Sequence, residues 1–575
     1  MKHGHGPNNG EIVSSFLGGI LLGCAVFLVV YGGKPLDVTY DTWIFQGLES
    51  EVDLAQHYLG WELFRHAPWT FPIGMTPEYA YPHPVSIIYA DVIPICAVCF
   101  KLLSPLLPAT FQYFGLWGIL CYALQGGLAA VLLRRFLPSA WLSILCALFF
   151  LLGMPIMYRM FGHTALASQW ILLLALVFLF YGERVPNAAA WRWIWIFFGG
   201  FCVWVHAYFV PMVFAAMLCF FLMGRKLRGS WRGALGTVIG FVGAVLASMG
   251  LLGGFSSGMT VSQAHVLGLY NANLNAFFNP VLPMVSRFLP VLPWDNGQYE
   301  GYAYLGLGGL LLLAVALGKR LYGCVAGSSG GRGVLPWQAV LLGVLLFLVA
   351  IFPTVRFGDQ VLLAVEYPAP LAWLMSAFRA NGRFLWIPLY LLLLSSIAMV
   401  AGEGKRSGIV VVLVLLGIQI ADFSACTSFI QQKMERAVSV TEEETRLLAG
   451  YGAMDEAMKG MGYLCYTDWH FVWQEPRISL MLARYAQRNG VKLETFYLAR
   501  APEQHLNEEQ ERIQRELAAG EPREDTLYVI ADRESAGEYR GLHFYEVGDI
   551  LLGSKKTIPS LESSAVERGL GIIAK

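Results

Sequence analysis

Long apolar runs, separated by short polar segments, constrain this chain more than any other feature of its sequence. A helix needs about 20 apolar residues to cross the hydrocarbon core of a bilayer, and runs of about that length recur through residues 1–425. Only 14% of the residues are charged, against about 25% in soluble domains. The pattern therefore predicts an α-helical polytopic membrane protein with about eleven transmembrane helices. The predicted spans are 12–32, 112–133, 139–157, 164–182, 192–205, 208–224, 233–253, 302–318, 336–353, 383–401 and 408–425.

Basic residues in the loops between spans predict how the helices are oriented. Pairs of them follow several spans, at residues 134–135, 319–320 and 405–406. The positive-inside rule places such loops in the cytoplasm. Residues 86–104 contain two charged residues and a proline, so we interpret them as a helix that dips into the outer side without crossing. The N-terminus is then cytoplasmic, and the segment after the last span is extracytoplasmic.

The composition changes after the last predicted span, since residues 426–575 hold 24 of the chain's 40 acidic residues. The runs "GYLCYTD", "VKLETFYLA", "TLYVIAD" and "LHFYEVGDILLG" are typical of strands, whereas "RISLMLARYAQRNG" and "EEQERIQRELAAG" are typical of helices. We therefore predict a transmembrane domain at 1–425 and a small soluble α/β domain at 426–575. The tail has no glycine-rich nucleotide-binding motif and the net charge is zero, which argues against a nucleotide site there and against a nucleic-acid partner.

The loop between the first two spans, residues 33–111, holds an unusual concentration of charge. The membrane half contains only 16 carboxylates, and eight of them lie in this loop. Within it, the stretch "DLAQHYLGWELFR" at 53–65 places Asp53 and His57 four residues apart, on one face of a helix. A carboxylate on that face would be partly desolvated at the membrane surface, which raises its basicity. The alternative is a helix that only lies at the interface, with its aromatic residues forming a belt.

Further along the same loop, His83 and Asp91 lie in a segment whose prolines stiffen the backbone. Either both face the same cavity as Asp53, or they only cap and anchor the dipping helix. Together with His57 and Asp53, they could supply ligands for a divalent metal ion. Their spacing matches no compact ligand motif, so we predict no definite cofactor and leave a divalent metal as an open option.

Arginines and histidines near predicted external boundaries suggest where an anionic ligand binds. The six residues are Arg159, His163, His206, Arg356, Arg379 and Arg383. Arginines on the outside run against the positive-inside trend, and the guanidinium group offers a planar, always-charged donor fork that suits phosphate. The alternatives are structural ion pairs for the arginines and hydrogen-bonded packing for the histidines.

An odd number of spans, a large first external loop with an acidic residue soon after the first helix, and a soluble outer tail occur together in this chain. In this combination it resembles the C-type glycosyltransferases, the superfamily of protein O-mannosyltransferases, oligosaccharyltransferases and lipid A aminoarabinose transferases. The stretches "DLAQHYLGWELFR…PWTFPIG…YPHPVSIIYADVIP", "RMFGHTALASQW" and "FRANGRFLW" resemble more closely an uncharacterised bacterial membrane family placed near that superfamily. The resemblance covers residues 10–425 or so.

The resemblance implies a C-type glycosyltransferase fold and a donor sugar carried on a polyprenyl phosphate or pyrophosphate. By position, it implies Asp53 as the catalytic carboxylate, with Asp41 as second choice. Positively charged side chains would stabilise the leaving phosphate as its charge develops. The residues expected to bind the substrate and its phosphate are Arg379, Arg383, Arg159, His163, His57, His83, Asp91, His206 and Arg356.

We therefore expect a glycosyltransferase of the bacterial inner membrane that transfers a sugar to a glycan, lipid or protein acceptor on the extracytoplasmic face. Two alternatives stay open. A transporter or flippase for a lipid-linked saccharide would need charged groups at mid-membrane and broken helices in matching halves. A non-catalytic envelope assembly protein would use the outer tail to bind a partner. The clustering of polar groups at outer boundaries favours the enzyme.

Overall fold

The computed structural model describes residues 7–45, 52–185, 187–224, 229–255, 267–295, 297–325, 334–435 and 451–562. Two of the eight carboxylates of the first loop, Glu49 and Glu51, lie outside these ranges. Within them the chain is mostly helical and has a small sheet in its C-terminal part. The structure therefore agrees with the predicted combination of apolar helices and a C-terminal region that contains a sheet.

The helices of the membrane half are mostly apolar. In chain order they are α1 (Asn9–Tyr31), α2 (Thr42–Phe45), α3 (Asp53–His66), α4 (Pro94–Leu102), α5 (Phe114–Arg134), α6 (Ala140–Cys146), α7 (Leu148–Leu151), α8 (Met154–Arg159), α9 (Trp170–Tyr181), α10 (Ala188–Val205), α11 (Phe209–Phe221), α12 (Trp231–Leu251), α13 (Leu307–Val325), α14 (Trp337–Ile351), α15 (Ala369–Ser376), α16 (Trp386–Ala401), α17 (Arg406–Asp422) and α18 (Ser424–Glu435). Two short hairpins, β1 (Met75–Thr76) with β2 (Val85–Ser86) and β3 (Thr354–Phe357) with β4 (Gln360–Ala364), lie in the loops.

Within the described ranges, eight helical segments are long and apolar enough to cross a membrane. They are Asn9–Tyr31, Phe114–Arg134, Thr164–Arg184, Ala188–Val205, Trp231–Leu251, Leu307–Val325, Asn381–Ala401 and Arg406–Glu435. These segments indicate a membrane protein, and each overlaps a predicted span.

The other three predicted spans coincide with shorter apolar helices, Ala140–Leu151, Phe209–Phe221 and Trp337–Ile351. At about 1.5 Å per residue, a helix of 13 residues such as α11 covers only about 20 Å of the roughly 30 Å hydrocarbon core. The total of eleven crossings therefore stays a prediction. The dipping segment 86–104 contains only the nine-residue helix α4, which is also too short to cross.

Glycines allow α1 and α5 to pack with their backbones in contact. A Cβ atom added to Gly23 would lie 2.0 Å from the carbonyl oxygen of Tyr122, and one added to Gly19 would lie 2.3 Å from that of Gly126. Small residues four positions apart permit this close approach between helices in membranes. The close contact holds together the two helices that flank the first loop.

We expect Gly23→Ala to destabilise the protein, because the added methyl group meets backbone atoms that cannot rotate away. Overpacking of this kind costs about 1–3 kcal/mol. The measurement is thermal unfolding of the detergent-solubilised protein, followed by intrinsic tryptophan fluorescence. Gly417→Ala in α17 is the matched control, because a Cβ there meets no atom within 4 Å among the described residues. Equal melting temperatures for the two variants would contradict the close-packing account.

Helix α3 is buried inside the protein rather than lying at a lipid interface. Trp61 and Phe64 are fully buried, and Trp61 Nε1 donates a hydrogen bond of 2.9 Å to the carbonyl oxygen of Phe111. Arg65 donates to the end of the same loop, including the carbonyl oxygen of Pro108 at 2.8 Å. The alternative of an aromatic belt at the membrane surface therefore does not describe α3, because the rest of the first loop and the neighbouring helices cover its aromatic face.

The C-terminal region is an α/β unit with a five-stranded mixed sheet. The order of its strands is β6 (Lys492–Leu493), β5 (Tyr463–Tyr466), β7 (Thr526–Ile530), β9 (Ile550–Ser554) and β8 (His543–Val547). Strands β5 and β7 are parallel, as are β5 and β6, whereas β9 pairs antiparallel with both β7 and β8. Each run that the sequence analysis assigned contains the expected element. These elements are α19 (Tyr451–Met458), β5 (Tyr463–Tyr466), α20 (Phe471–Gln474), α21 (Pro476–Asn489), β6 (Lys492–Leu493), α22 (Glu503–Ala519), β7 (Thr526–Ile530), β8 (His543–Val547) and β9 (Ile550–Ser554).

This C-terminal unit rests directly on the first loop. Lys492 Nζ lies 2.6 Å from Glu78 Oε1. The rings of Tyr79 and Phe496 stack with their centroids 5.6 Å apart. The amide of Tyr81 donates a hydrogen bond of 2.8 Å to the carbonyl oxygen of Leu493. Polar, aromatic and backbone contacts together fix the loop against the edge of the sheet.

Candidate functional site

Three histidines and two aspartates, from the first loop and from two later segments, form a cluster. Its members are Asp53, His57, Asp91, His163 and His206. His163 lies between the two carboxylates, with Nδ1 3.0 Å from Asp91 Oδ2 and Nε2 3.5 Å from Asp53 Oδ2. Asp91 is the common neighbour, since its Oδ2 lies 3.5 Å from His57 Nε2 and its Oδ1 lies 3.5 Å from His206 Nε2. Residues far apart in sequence therefore converge on one carboxylate.

Four segments bring these side chains together. Asp53 is the first residue of α3 and His57 lies one turn later on the same face. Asp91 follows the 3-10 helix Ile87–Ala90 in a left-handed conformation, with φ of 50°. Aspartate tolerates this conformation better than most residues, and it ends the 3-10 helix. His163 immediately precedes the 3-10 helix Thr164–Ala167, and His206 immediately follows α10.

Burial favours the neutral forms of the two innermost groups of the cluster. It lowers the pKa of His57 to about 3. Burial also raises the pKa of Asp91 well above its usual value, although the charge of Arg383 acts in the opposite direction. Both effects follow from the low dielectric of the site, where a charge is poorly solvated.

A second group, next to the cluster, consists of one glutamate held by two arginines. Arg383 grips Glu300 with two hydrogen bonds, from Nε to Oε2 and from Nη2 to Oε1, both 2.8 Å. Arg159 Nη2 donates to Oε2 of the same carboxylate at 2.5 Å. Burial opposes the ionisation of Glu300, but the two arginines outweigh it and lower its pKa well below the usual value. The guanidinium of Arg383 also lies 4.3 Å from the ring centre of Tyr208.

Glu300 is a site residue that sequence reasoning missed. It lies in the 3-10 helix Gln298–Gly301, in the long segment between α12 and α13. Carboxylates are scarce in the membrane half, so a glutamate in this segment was a signal that could have drawn attention to it. Arg159 and Arg383 were predicted as phosphate ligands. In the structure both pair with Glu300, whose negative charge balances one of their two positive charges.

A cavity of about 520 Å³ adjoins both groups. Asp53, His163, Arg159 and Glu300 line one part of it, and apolar side chains of α8, α18 and the segment before α13 line most of the remainder. Tyr497, from the C-terminal unit, also lines the cavity. The cavity thus combines a polar end with a longer apolar surface, as expected for an amphipathic ligand.

Other predicted site residues lie outside this arrangement. Asp41 Oδ2 lies 3.3 Å from Arg484 Nη2, so it joins the first loop to the C-terminal unit. His83 stacks on His505, with ring centroids 4.7 Å apart. Arg356, on β3, pairs with Asp295. All three residues have structural partners, and for Arg356 the ion pair is the alternative that the sequence left open.

Arg379 lies four residues before Arg383 but has a different environment. Its guanidinium lies 5.7 Å from the ring centre of Tyr270. Among the described residues it is not part of the cavity wall, which includes Arg159 instead. The structure brings seven predicted residues to the two adjoining groups, namely Asp53, His57, Asp91, His163 and His206 in the cluster, and Arg159 and Arg383 at Glu300.

The fold and the site define a helical membrane protein that carries a histidine–carboxylate cluster on the wall of an amphipathic cavity. Residues 20–424 match the family described as "Domain of unknown function (DUF6311)", and residues 453–555 match "DUF6311 C-terminal domain". The chain belongs to the DUF6311 family. No curated protein and no solved structure matches it.

Proposed function

We propose that this protein is a glycosyltransferase that uses a lipid-phosphate-linked sugar. The observation that carries the proposal is the cavity, where Asp53 and the Arg159–Glu300 pair share one chamber with a long apolar wall. A polyprenyl-phosphate sugar has this same combination of an apolar chain, an anionic phosphate and a polar sugar. The apolar wall would hold part of the lipid chain, and the polar end would hold the reacting groups.

The chemistry follows from what lies at the polar end. The acceptor hydroxyl would attack the anomeric carbon of the sugar, and the bond between that carbon and the phosphate oxygen would break. Asp53 would accept the proton of the hydroxyl, because its side chain is partly exposed and lines the cavity. Two arginines share one glutamate, so Arg159, Arg383 and Glu300 together keep one net positive charge, which favours the departing lipid phosphate.

The proposal includes the setting of the reaction. We place the protein in the bacterial inner membrane with its N-terminus in the cytoplasm and the first loop and C-terminal unit outside. Basic residues between spans support this orientation. The proposed architecture is the C-type glycosyltransferase fold with eleven spans. The acceptor is a glycan, a lipid or a protein, and none of the proposed chemistry requires a nucleotide at the site.

A panel of donors tests the function. Purified full-length protein in liposomes is incubated with polyprenyl-phosphate- and polyprenyl-pyrophosphate-linked sugars and with candidate acceptors, and the released lipid phosphate is measured by mass spectrometry. We expect consumption of at least one donor. Movement of a labelled donor between leaflets without its consumption would instead support the flippase. If the protein neither consumes a donor nor moves it between leaflets, the enzyme is rejected and the envelope assembly protein is the alternative that remains.

Narrowing the cavity is expected to weaken use of the donor. Leu282→Trp places a larger side chain in the apolar wall. We expect donor consumption at subsaturating concentration to fall at least about tenfold, which corresponds to about 1.4 kcal/mol of lost binding. Leu289→Trp is the matched control, since Leu289 lies in the same segment but is not among the residues that line the cavity in the described structure. An equal loss of donor consumption in both variants would show that the loss does not result from narrowing the cavity.

A further inference from the structure

The ligand-type atoms of the cluster lie close enough together to surround one ion. One nitrogen each from His57 and His163 and one oxygen of Asp91 all lie within 4.8 Å of one another. Ligands about 2.0–2.2 Å from a common ion are separated by roughly 3–4.4 Å, so only small side-chain movements are needed. We propose that His57, His163 and Asp91 bind a single divalent transition-metal ion, with His206 as the fourth ligand. The proposal concerns binding and stands independently of the proposed glycosyl transfer.

Hydrogen bonding alone does not explain why these groups converge. Of the four contacts between a histidine nitrogen and a carboxylate oxygen, only that of His163 Nδ1 with Asp91, at 3.0 Å, has an ordinary hydrogen-bond length. The other three are 3.5 Å. For His57 and His206 with Asp91, this spacing suits atoms that share an ion better than atoms that bond directly to each other.

His57 provides the second, independent observation. The residue is completely buried, and neither of its ring nitrogens has a hydrogen-bond partner within the described part of the chain. A buried polar group without a partner costs about 1–3 kcal/mol, so it is rarely left so without a reason. Its Nε2 points to Asp91 at 3.5 Å, toward the centre of the cluster. A metal ion there would satisfy this nitrogen.

The two oxygens of Asp91 place it at the centre of the ligand set. Oδ2 lies near His57 and His163, while Oδ1 lies near His206, so the carboxylate can bind an ion from either oxygen. His163 Nδ1 is the nitrogen nearer to Asp91, and Nε2 is then left facing Asp53. In a metal-bound histidine, the N–H group of the other ring nitrogen commonly donates a hydrogen bond to a carboxylate, which fixes the orientation and the tautomer of the ring. Asp53 fills that place.

The donor atoms indicate the class of metal. Three imidazoles with one carboxylate suit zinc and its first-row neighbours, whereas magnesium and calcium prefer sets of oxygen ligands. His163 also lines the cavity, so the ion would lie at the cavity wall rather than in a sealed interior. An anionic group that enters the cavity could therefore reach the ion.

Zinc content tests the proposal directly. Full-length protein without a histidine tag is stripped with a chelator, reloaded with zinc and desalted, and zinc per chain is measured by mass spectrometry. We expect about one zinc per chain in the wild type. His57→Ala and Asp91→Asn should bind zinc more than about 100-fold more weakly, since loss of even an outer-shell partner costs 10- to 100-fold. Zinc-free wild type, or variants that keep full zinc, would overturn the site.

Two matched control variants distinguish zinc binding at the cluster from zinc binding at other histidines of the chain. His83→Ala removes a histidine that stacks on His505, away from the cluster, and should keep the wild-type zinc content. The double variant His3→Ala/His5→Ala removes the histidine pair of the N-terminal peptide and should do the same. If zinc is lost from either control and kept in His57→Ala, the ion binds elsewhere and the proposal is wrong.

A measurement on the wild type covers the case in which the cluster variants fail to fold. X-ray absorption at the zinc edge distinguishes imidazole ligands by scattering from the outer atoms of their rings. We expect the spectrum of three imidazoles with oxygen as the remaining donor. A spectrum without imidazole scattering, or one dominated by sulfur, would reject the proposed ligand set without any variant.

Discussion

Asp53→Asn is expected to reduce sugar transfer by about 10²- to 10⁴-fold, the usual contribution of a positioned general base. The substitution keeps the shape of the side chain but removes its ability to accept the proton of the acceptor hydroxyl. Asp53 is the first residue of α3 and its side chain is partly exposed to the cavity, so asparagine should be accommodated there. The measurement is release of lipid phosphate from the donor identified with the panel.

Asp37→Asn serves as the control for this prediction. Asp37 is a carboxylate of the same loop that accepts hydrogen bonds from the amide and hydroxyl of Thr39, at 2.9 and 2.7 Å. We expect it to keep wild-type transfer. Both variants should also keep the wild-type melting temperature. Undiminished transfer by a folded Asp53→Asn protein would show that Asp53 only positions α3 and that the proposed base lies elsewhere.

Glu300→Gln is expected to destabilise the protein by about 3–5 kcal/mol, because it leaves two buried arginines without a compensating charge. Arg159, Arg383 and Glu300 are all buried, so water cannot solvate the excess charge. Glutamine preserves the size of the side chain and can still accept a hydrogen bond, which isolates the effect of charge. The measurement is thermal unfolding in detergent, together with the yield of folded protein.

An exposed ion pair provides the comparison for Glu300. Glu403 Oε2 lies 2.8 Å from Lys405 Nζ, but the two side chains are 51% and 74% exposed. Exposed pairs of this kind contribute only about 0–1 kcal/mol, so Glu403→Gln should change stability little. If the two variants melt at the same temperature, burial of the triad does not have the energetic role assigned to it.

The local part of the candidate site could be read from the sequence. The Asp53–His57 pair follows from helical spacing, and the concentration of carboxylates drew attention to the loop that carries Asp53, His57 and Asp91. The apolar runs likewise predicted the helices, because the length of a span depends on the bilayer and on little else. The strands and helices of the C-terminal unit were also predicted from local patterns.

The contacts that complete the site could not be read in this way, because they join segments far apart in the chain. Glu300 is held by Arg159 from one side and by Arg383 from the other, and no local pattern records such a pairing. The same reason applies to Asp41, the second choice that the resemblance implied, and to His83, which contact Arg484 and His505 of the C-terminal unit. A sequence shows which residues are unusual for their surroundings, whereas the partner depends on the tertiary fold.

The position of Tyr497 has a consequence for how the protein is made. Tyr497 lines the same cavity as Asp53, although the ribosome synthesises Asp53 near the start and Tyr497 near the end. A nascent chain therefore carries an open, incomplete chamber until its last quarter has been translated and has docked on the first loop. Completion of the cavity is thus a late event in biogenesis, and a chain that stops after α18 would lack the part of the lining that Tyr497 supplies.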